Sequence, residues 1–206
     1  MQDNLQISDY ELDAIKETAN IGAGSLSMAL SKLFRQKVVT GLPATRIIPV
    51  ESIKEIIAPE INMQVFAFSR ITNGLEGNII FRMSQDVAFN TLNFFRGEKK
   101  VEGFQRINDE DRILLKKVSS VVFSTYLTSL AKFFEKKFIF SPPTIISCFG
   151  DSVNDFIVLQ ISPQQPILVI TIDFKIESEK IEGNFIFLFS VSSLMPLLSQ
   201  IKKGDA

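Results

Sequence analysis

The sequence has no histidine and no tryptophan, and Cys148 is the single cysteine among 206 residues. The absence of histidine excludes Ser-His-Asp and Cys-His nucleophile systems and every His-ligated metal site. A lone cysteine rules out an intramolecular disulfide, argues against a cysteine-based zinc site, and fits a reducing, cytoplasmic setting. No apolar run approaches the roughly 20 residues that a membrane-spanning helix needs. The polar start Met1-Gln2-Asp3-Asn4 does not read as a signal peptide. No Gly-rich phosphate loop of the P-loop or Rossmann type is present. Neither sign of charge dominates: 22 Lys and Arg oppose 23 Asp and Glu. That balance argues against broad electrostatic capture of nucleic acid, leaving room only for a local patch. An enzyme built from this chain works with carboxylates, amides, hydroxyls and lysines, or it positions chemistry that another molecule supplies.

What is present is written twice. An offset of 100 lays Ser8–Thr45 over Asn108–Ile145, superposing Lys16 on Lys116, Leu30 on Leu130, Phe34 on Phe134 and Pro43 on Pro143. Further on, Glu76-Gly77-Asn78-Ile79-Ile80-Phe81 matches Glu182-Gly183-Asn184-Phe185-Ile186-Phe187 at an offset of 106. Repeats of about 8–97 and 108–206, joined by the charge-rich bridge Gly97–Phe104 without a low-complexity linker, predict one domain with pseudo-twofold symmetry across 1–206. Two separate domains are the alternative, but halves this short are marginal alone.

Each half opens with a long helix. Ser8 and Glu11 form a capping box, Ile7 and Leu12 are placed as a hydrophobic staple, and Asn108 and Asp111 repeat the cap. Helical patterning runs to about Phe34 and Phe134, where segments containing Pro43 and Pro143 break it. Short β-branched and aromatic runs follow and predict strands at 45–50, 63–68, 77–83, 145–149, 156–161, 167–174 and 183–189. Closing helices are capped near Ser84 and near Ser190 or Ser193. Gly77 and Gly183 mark strand starts, and Cys148 reads as a small buried residue. The fold class is α+β, an internally duplicated unit with long helices packed on a shared β-sheet.

The first helix carries a polar stripe. At about 100° per residue, Glu17 lies about 40° from Asp13, Asn20 about 20° the other way and Gly24 about 20°. Leu12, Ile15, Ala19, Leu26, Ala29, Leu30 and Leu33 make the opposite, core-facing side. A solvated face is the ordinary meaning of such a stripe. Two features speak for more. Gly22 and Gly24 each cost about 1 kcal/mol relative to Ala inside a helix; they either admit another molecule or ease packing against the sheet. Asn20 is a poor interior helix residue with no evident structural purpose.

Asp13-x-x-x-Glu17-x-x-Asn20, followed after 22 residues by Pro43, resembles the signature of the CheC/CheX/FliY family of CheY-phosphate phosphatases. The string Ile15-Lys16-Glu17-Thr18-Ala19-Asn20-Ile21-Gly22-Ala23-Gly24 is similar to the family's active-site helix, and the duplicated layout is most similar to CheC. The resemblance implies hydrolysis of the aspartyl phosphate on a CheY-like response regulator. Asn20 would orient the attacking water, and Glu17 would pair with a lysine of the regulator. Asp13 and Gly24 would belong to the partner-binding surface. It implies no cofactor of the chain's own, because the regulator supplies Mg²⁺, and no metal ligands here. A CheD-like deamidase is a further partner of the CheC branch; nucleic acid and membrane insertion are not expected. In the second repeat the matching positions are Ile113, Lys117 and Ser120, with Val122 and Ser124 replacing the glycines, so that helix is expected to be silent. Val121, Val122 and Phe123 are read there as core in preference to a partner surface. The alternatives are a non-catalytic adaptor that binds a regulator or a CheD-like protein, and a structural repeat protein whose stripe is only solvated.

Overall fold

The computed structural model describes residues 7–57, 62–98, 106–149, 152–153, 156 and 166–204. Helix α1 (Asp9–Phe34) opens the chain, with the Ser8 amide donating to Glu11 Oε2 at 2.8 Å and the Glu11 amide donating to Ser8 Oγ at 3.4 Å. Strands β1 (Val39–Thr40) and β2 (Ala44–Ile48) follow, then a 3₁₀ turn at Val50–Ile53 and the short α2 (Lys54–Ile57). The first half closes with β3 (Met63–Asn73), β4 (Gly77–Ser84) and α3 (Gln85–Arg96), which Ser84 caps by accepting from the Val87 amide.

The second half repeats this order. Helix α4 (Asp109–Phe133) begins with its own reciprocal cap between Asn108 and Asp111. It is followed by β5 (Ile139–Phe140), β6 (Thr144–Phe149), β7 (Ile167–Ile176), β8 (Ile181–Ser190) and α5 (Val191–Gly204). Of the strand expected at 156–161, residues 157–161 lie outside the described residues, as do 99–104 of the bridge. Phe156 packs edge-on against Phe68, with ring centroids 5.2 Å apart.

Among the described residues the strands form one eight-stranded sheet ordered β1-β7-β8-β4-β3-β5, with β2 also on β7 and β6 also on β3. Every described pairing is antiparallel. The outer strands cross over: β1 and β2 of the first half pair with β7 of the second, and β5 and β6 pair with β3 of the first. At the centre β4 pairs with β8, setting Ile80 opposite Ile186, two residues that the 106-residue offset superposes. Arg96 of α3 reaches Asp111, the nearly fully buried cap residue of α4, at 2.7 Å, an ionic tie between the halves.

Both faces of the sheet are covered, so the strands alternate between two apolar environments. Ile79, Phe81 and Met83 of β4 and Phe185, Phe187 and Phe189 of β8 pack with α1, α4, α3 and α5. Ile80, Ile186 and Leu188 point the other way, against Val50, Ile53, Ile57 and Val153. This double burial accounts for the short apolar runs from which the strands were expected.

Three expectations need correction. Gly183 is the third residue of β8, not its start. Gly77 and Gly183 are required by close backbone approach: a Cβ on either would run into the facing strand, at the carbonyls of Leu188 and Arg82 respectively. Cys148 is half-buried on β6, opposite Gln64; partial burial pushes its thiol pKa up. Of the apolar trio on α4, Val122 and Phe123 are fully buried, whereas Val121 is exposed.

Candidate functional site

Helix α1 presents its stripe outward because its other side is committed to the core. Ile15, Thr18, Ala19, Gly22, Ala23, Leu26, Leu30 and Phe34 are buried at helical spacing. Leu12, Ala29 and Leu33, also expected on that side, are only half-buried. Asp13, Glu17, Asn20 and Gly24 are all exposed, so the structure brings the four expected residues onto one open face. Glu17 and Asn20 make no hydrogen bond or ion pair among the described residues. Asp13 accepts from Lys16 Nζ at 3.1 Å, an exposed pair one turn apart; such pairs contribute little to stability. Pro43 lies apart from the stripe, in the link between β1 and β2.

The two glycines have different explanations. A Cβ at position 22 would stand 2.8 Å from Cδ2 of Tyr126 and closer still to Cε2. Gly22 is therefore a notch for a side chain of α4, and it faces neither the sheet nor a partner. A Cβ at position 24 would meet nothing within 4 Å. No intramolecular contact accounts for a glycine at that exposed place.

Sequence reasoning missed the apolar rim of the stripe. Tyr10, Ile21 and Met28 are 49%, 45% and 70% exposed, although each is a large apolar or aromatic residue. Helical arithmetic places them about 60–80° from Asp13, beside Glu17. The signal was in the sequence, at apolar positions off the core face. They border one side of the stripe with exposed apolar surface.

Helix α4 repeats the burial of α1 almost position by position: 111, 115, 118, 119, 122, 123, 126 and 130 are buried, each 100 residues beyond a buried residue of α1. The equivalent face therefore shows Ile113, Lys117, Ser120 and Ser124, with Ser120 half-buried. Ser120 donates to the Lys116 carbonyl at 2.8 Å, so its hydroxyl proton is used within its own helix.

A long exposed-stripe helix on an intertwined antiparallel sheet is a CheC-like architecture. A family model described as the CheC-like family matches residues 11–41, the span that holds Asp13, Glu17, Asn20 and both helical glycines. The flagellar motor switch phosphatase FliY of Bacillus subtilis (strain 168) is 22% identical over 203 residues, which are 97% of this chain and 51% of FliY. The chain thus spans about half the length of that curated relative. The crystal structure of Thermotoga maritima FliY matches with a TM-score of 0.74 at 19% identity, covering 94% of this chain and 98% of that one. The FliM middle domain from H. pylori matches with a TM-score of 0.63 at 15% identity, covering 94% and 99%. The chain is thus similar in its signature helix to the CheC-like family and in its fold to FliY. No helix among the described residues is long and apolar enough to cross a membrane.

Proposed function

We propose that this protein accelerates hydrolysis of the aspartyl phosphate on a CheY-like response regulator, with α1 as its working element. The observation that carries the reading is the unpartnered pair Glu17 and Asn20, exposed together on a helix whose other side is fixed in the core. The family model covering that helix and the likeness to FliY support it. Water attacks phosphorus, the phosphorus–oxygen bond to the aspartate breaks, and carboxylate and inorganic phosphate are released. Phosphoryl transfer of this kind depends on positioning and on charge stabilisation, and the regulator's own Mg²⁺ supplies the latter. Asn20 donates and accepts hydrogen bonds without carrying charge, so its amide can orient the water without repelling the phosphate. Glu17 pairs with a lysine of the regulator and sets the docking. Asp13, Gly24 and the rim of Ile21 and Met28 belong to the contact surface.

The two polar residues separate by experiment. With a phosphorylated CheY-like regulator and Mg²⁺, Asn20→Ala is expected to remove acceleration even at saturating protein. Glu17→Ala is expected chiefly to raise the concentration giving half-maximal acceleration. Full acceleration by the Asn20 variant contradicts the reading.

A second reading is a regulator-binding or CheD-binding adaptor without catalysis. The fold match to a FliM middle domain and the altered face of α4 favour it. It predicts binding to a phosphorylated regulator with no change in the lifetime of the phosphate.

A further inference from the structure

Tyr126 is the largest fully buried side chain of α4, and its surroundings are unusual on two sides. Its ring stacks on Phe187 of β8, centroids 3.6 Å apart and planes 18° apart. It also fills the notch at Gly22, two residues beyond Asn20 on α1. Its hydroxyl is buried with no hydrogen-bond partner among the described residues. The repeat provides an internal comparison: the positions matching Gly22 and Tyr126 are Val122 and Leu26, both fully buried. Val with Leu has nearly as many side-chain atoms as Gly with Tyr, so either pair occupies a similar space. The Gly–Tyr pair is the less stable choice, since glycine disfavours helix. Packing alone therefore does not account for it.

We infer that Tyr126 is a positioning residue: wedged between Gly22 and Phe187, it sets how α1 lies on α4 and thereby where Glu17 and Asn20 stand. The inference rests on the phosphatase reading and extends it to a residue on the helix that lacks the signature. The glycine lets the backbone of α1 come down onto the ring, an approach that a valine at position 22 would block. Close-packed interiors do not deform smoothly, so a change in this contact moves the helix as a body. A misplacement of about 1 Å can cost as much as about 100-fold in rate.

The test uses the full chain with Gly22→Val, Tyr126→Leu, the double variant and Tyr126→Phe. For each, the unfolding midpoint is measured, together with regulator-phosphate decay at saturating and half-saturating protein. Each of the first two singles is expected to lower the midpoint and to slow saturated decay by roughly tenfold or more. The double variant recreates the Val–Leu pair and is expected to regain the midpoint but not the rate. Tyr126→Phe keeps the wedge and is expected to keep the rate. Recovery of the rate along with the midpoint in the double variant overturns the inference, since the contact is then only structural. Should the double variant not fold, an unchanged saturated rate in Tyr126→Leu below its midpoint overturns it equally. A wild-type protein that accelerates nothing refutes the phosphatase reading before any variant is compared, and this inference with it.

Discussion

At the scale of single residues, the proposed docking role and helix stability make opposite demands at Gly24. An exposed helical glycine whose added Cβ meets nothing has no reason to destabilise its helix on the protein's own account. Gly24→Ala is expected to raise stability by about 1 kcal/mol and to weaken binding of the phosphorylated regulator. Chemical denaturation and a binding titration check the two halves of that statement; unchanged binding removes Gly24 from the docking surface. Tyr126 gives a pH prediction. Burial pushes its phenol pKa above the ordinary value of 10.0. Below pH 10 the phenol is neutral in both folded and unfolded chains. Above it the unfolded chain ionises first, so the wild type loses stability as pH rises. Tyr126→Phe is expected to be the more stable protein at pH 7 by about 1 kcal/mol, through loss of the unpartnered hydroxyl. The gap should then widen by up to ~1.4 kcal/mol per pH unit above 10. Denaturation at pH 8 and pH 11 reads it directly. Neither residue's setting was legible beforehand. Glycine at 22 and glycine at 24 look alike in sequence, and the side chain that distinguishes them is 104 positions beyond the first.

At the scale of elements, α1 and α4 share caps, burial and length and differ in the face they expose. Both helices were legible because a reciprocal cap and a 3.6-residue apolar pattern are local signals. The difference in exposed groups was legible too, since Lys117 and Ser120 stand where Glu17 and Asn20 do. The close match in burial means that α4 differs from α1 chiefly in the groups it presents, with Ser120 less exposed than Asn20. Ser120→Ala is therefore expected to leave regulator-phosphate decay unchanged. Grafting Ile113→Asp, Lys117→Glu and Ser120→Asn onto α4 is expected to leave the unfolding midpoint close to that of the parent. Slower decay in Ser120→Ala would give α4 a catalytic part that this account denies it.

At the scale of the molecule, the sequence announced two halves but not how they join. Strand order was hidden for a physical reason: both faces of the sheet are buried, so the middle of β4, the first half of β7 and the second half of β8 read as continuous apolar runs with no polar face to fix their neighbours. The two-residue strands β1 and β5 were too short to carry a pattern. The expectation of strand at 63–68 fell short of β3, which continues to Asn73 where it receives β5. We propose that the halves fold as one domain, because β1 and β2 find their partner in β7 and β4 finds one in β8. A chain ending at residue 97 is expected to show no cooperative unfolding transition, while the full chain shows one. A sharp transition in the fragment contradicts a shared domain.

The central claim is that α1 removes a phosphoryl group and does not merely hold its carrier. The most direct measurement is the decay of a phosphorylated CheY-like regulator with Mg²⁺, alone, with the wild-type protein and with Asn20→Ala, with binding measured in parallel. The account predicts faster decay with the wild type, and decay at the regulator's own rate with an Asn20→Ala protein that still binds. Equal acceleration by both proteins, or binding by the wild type without any acceleration, contradicts it.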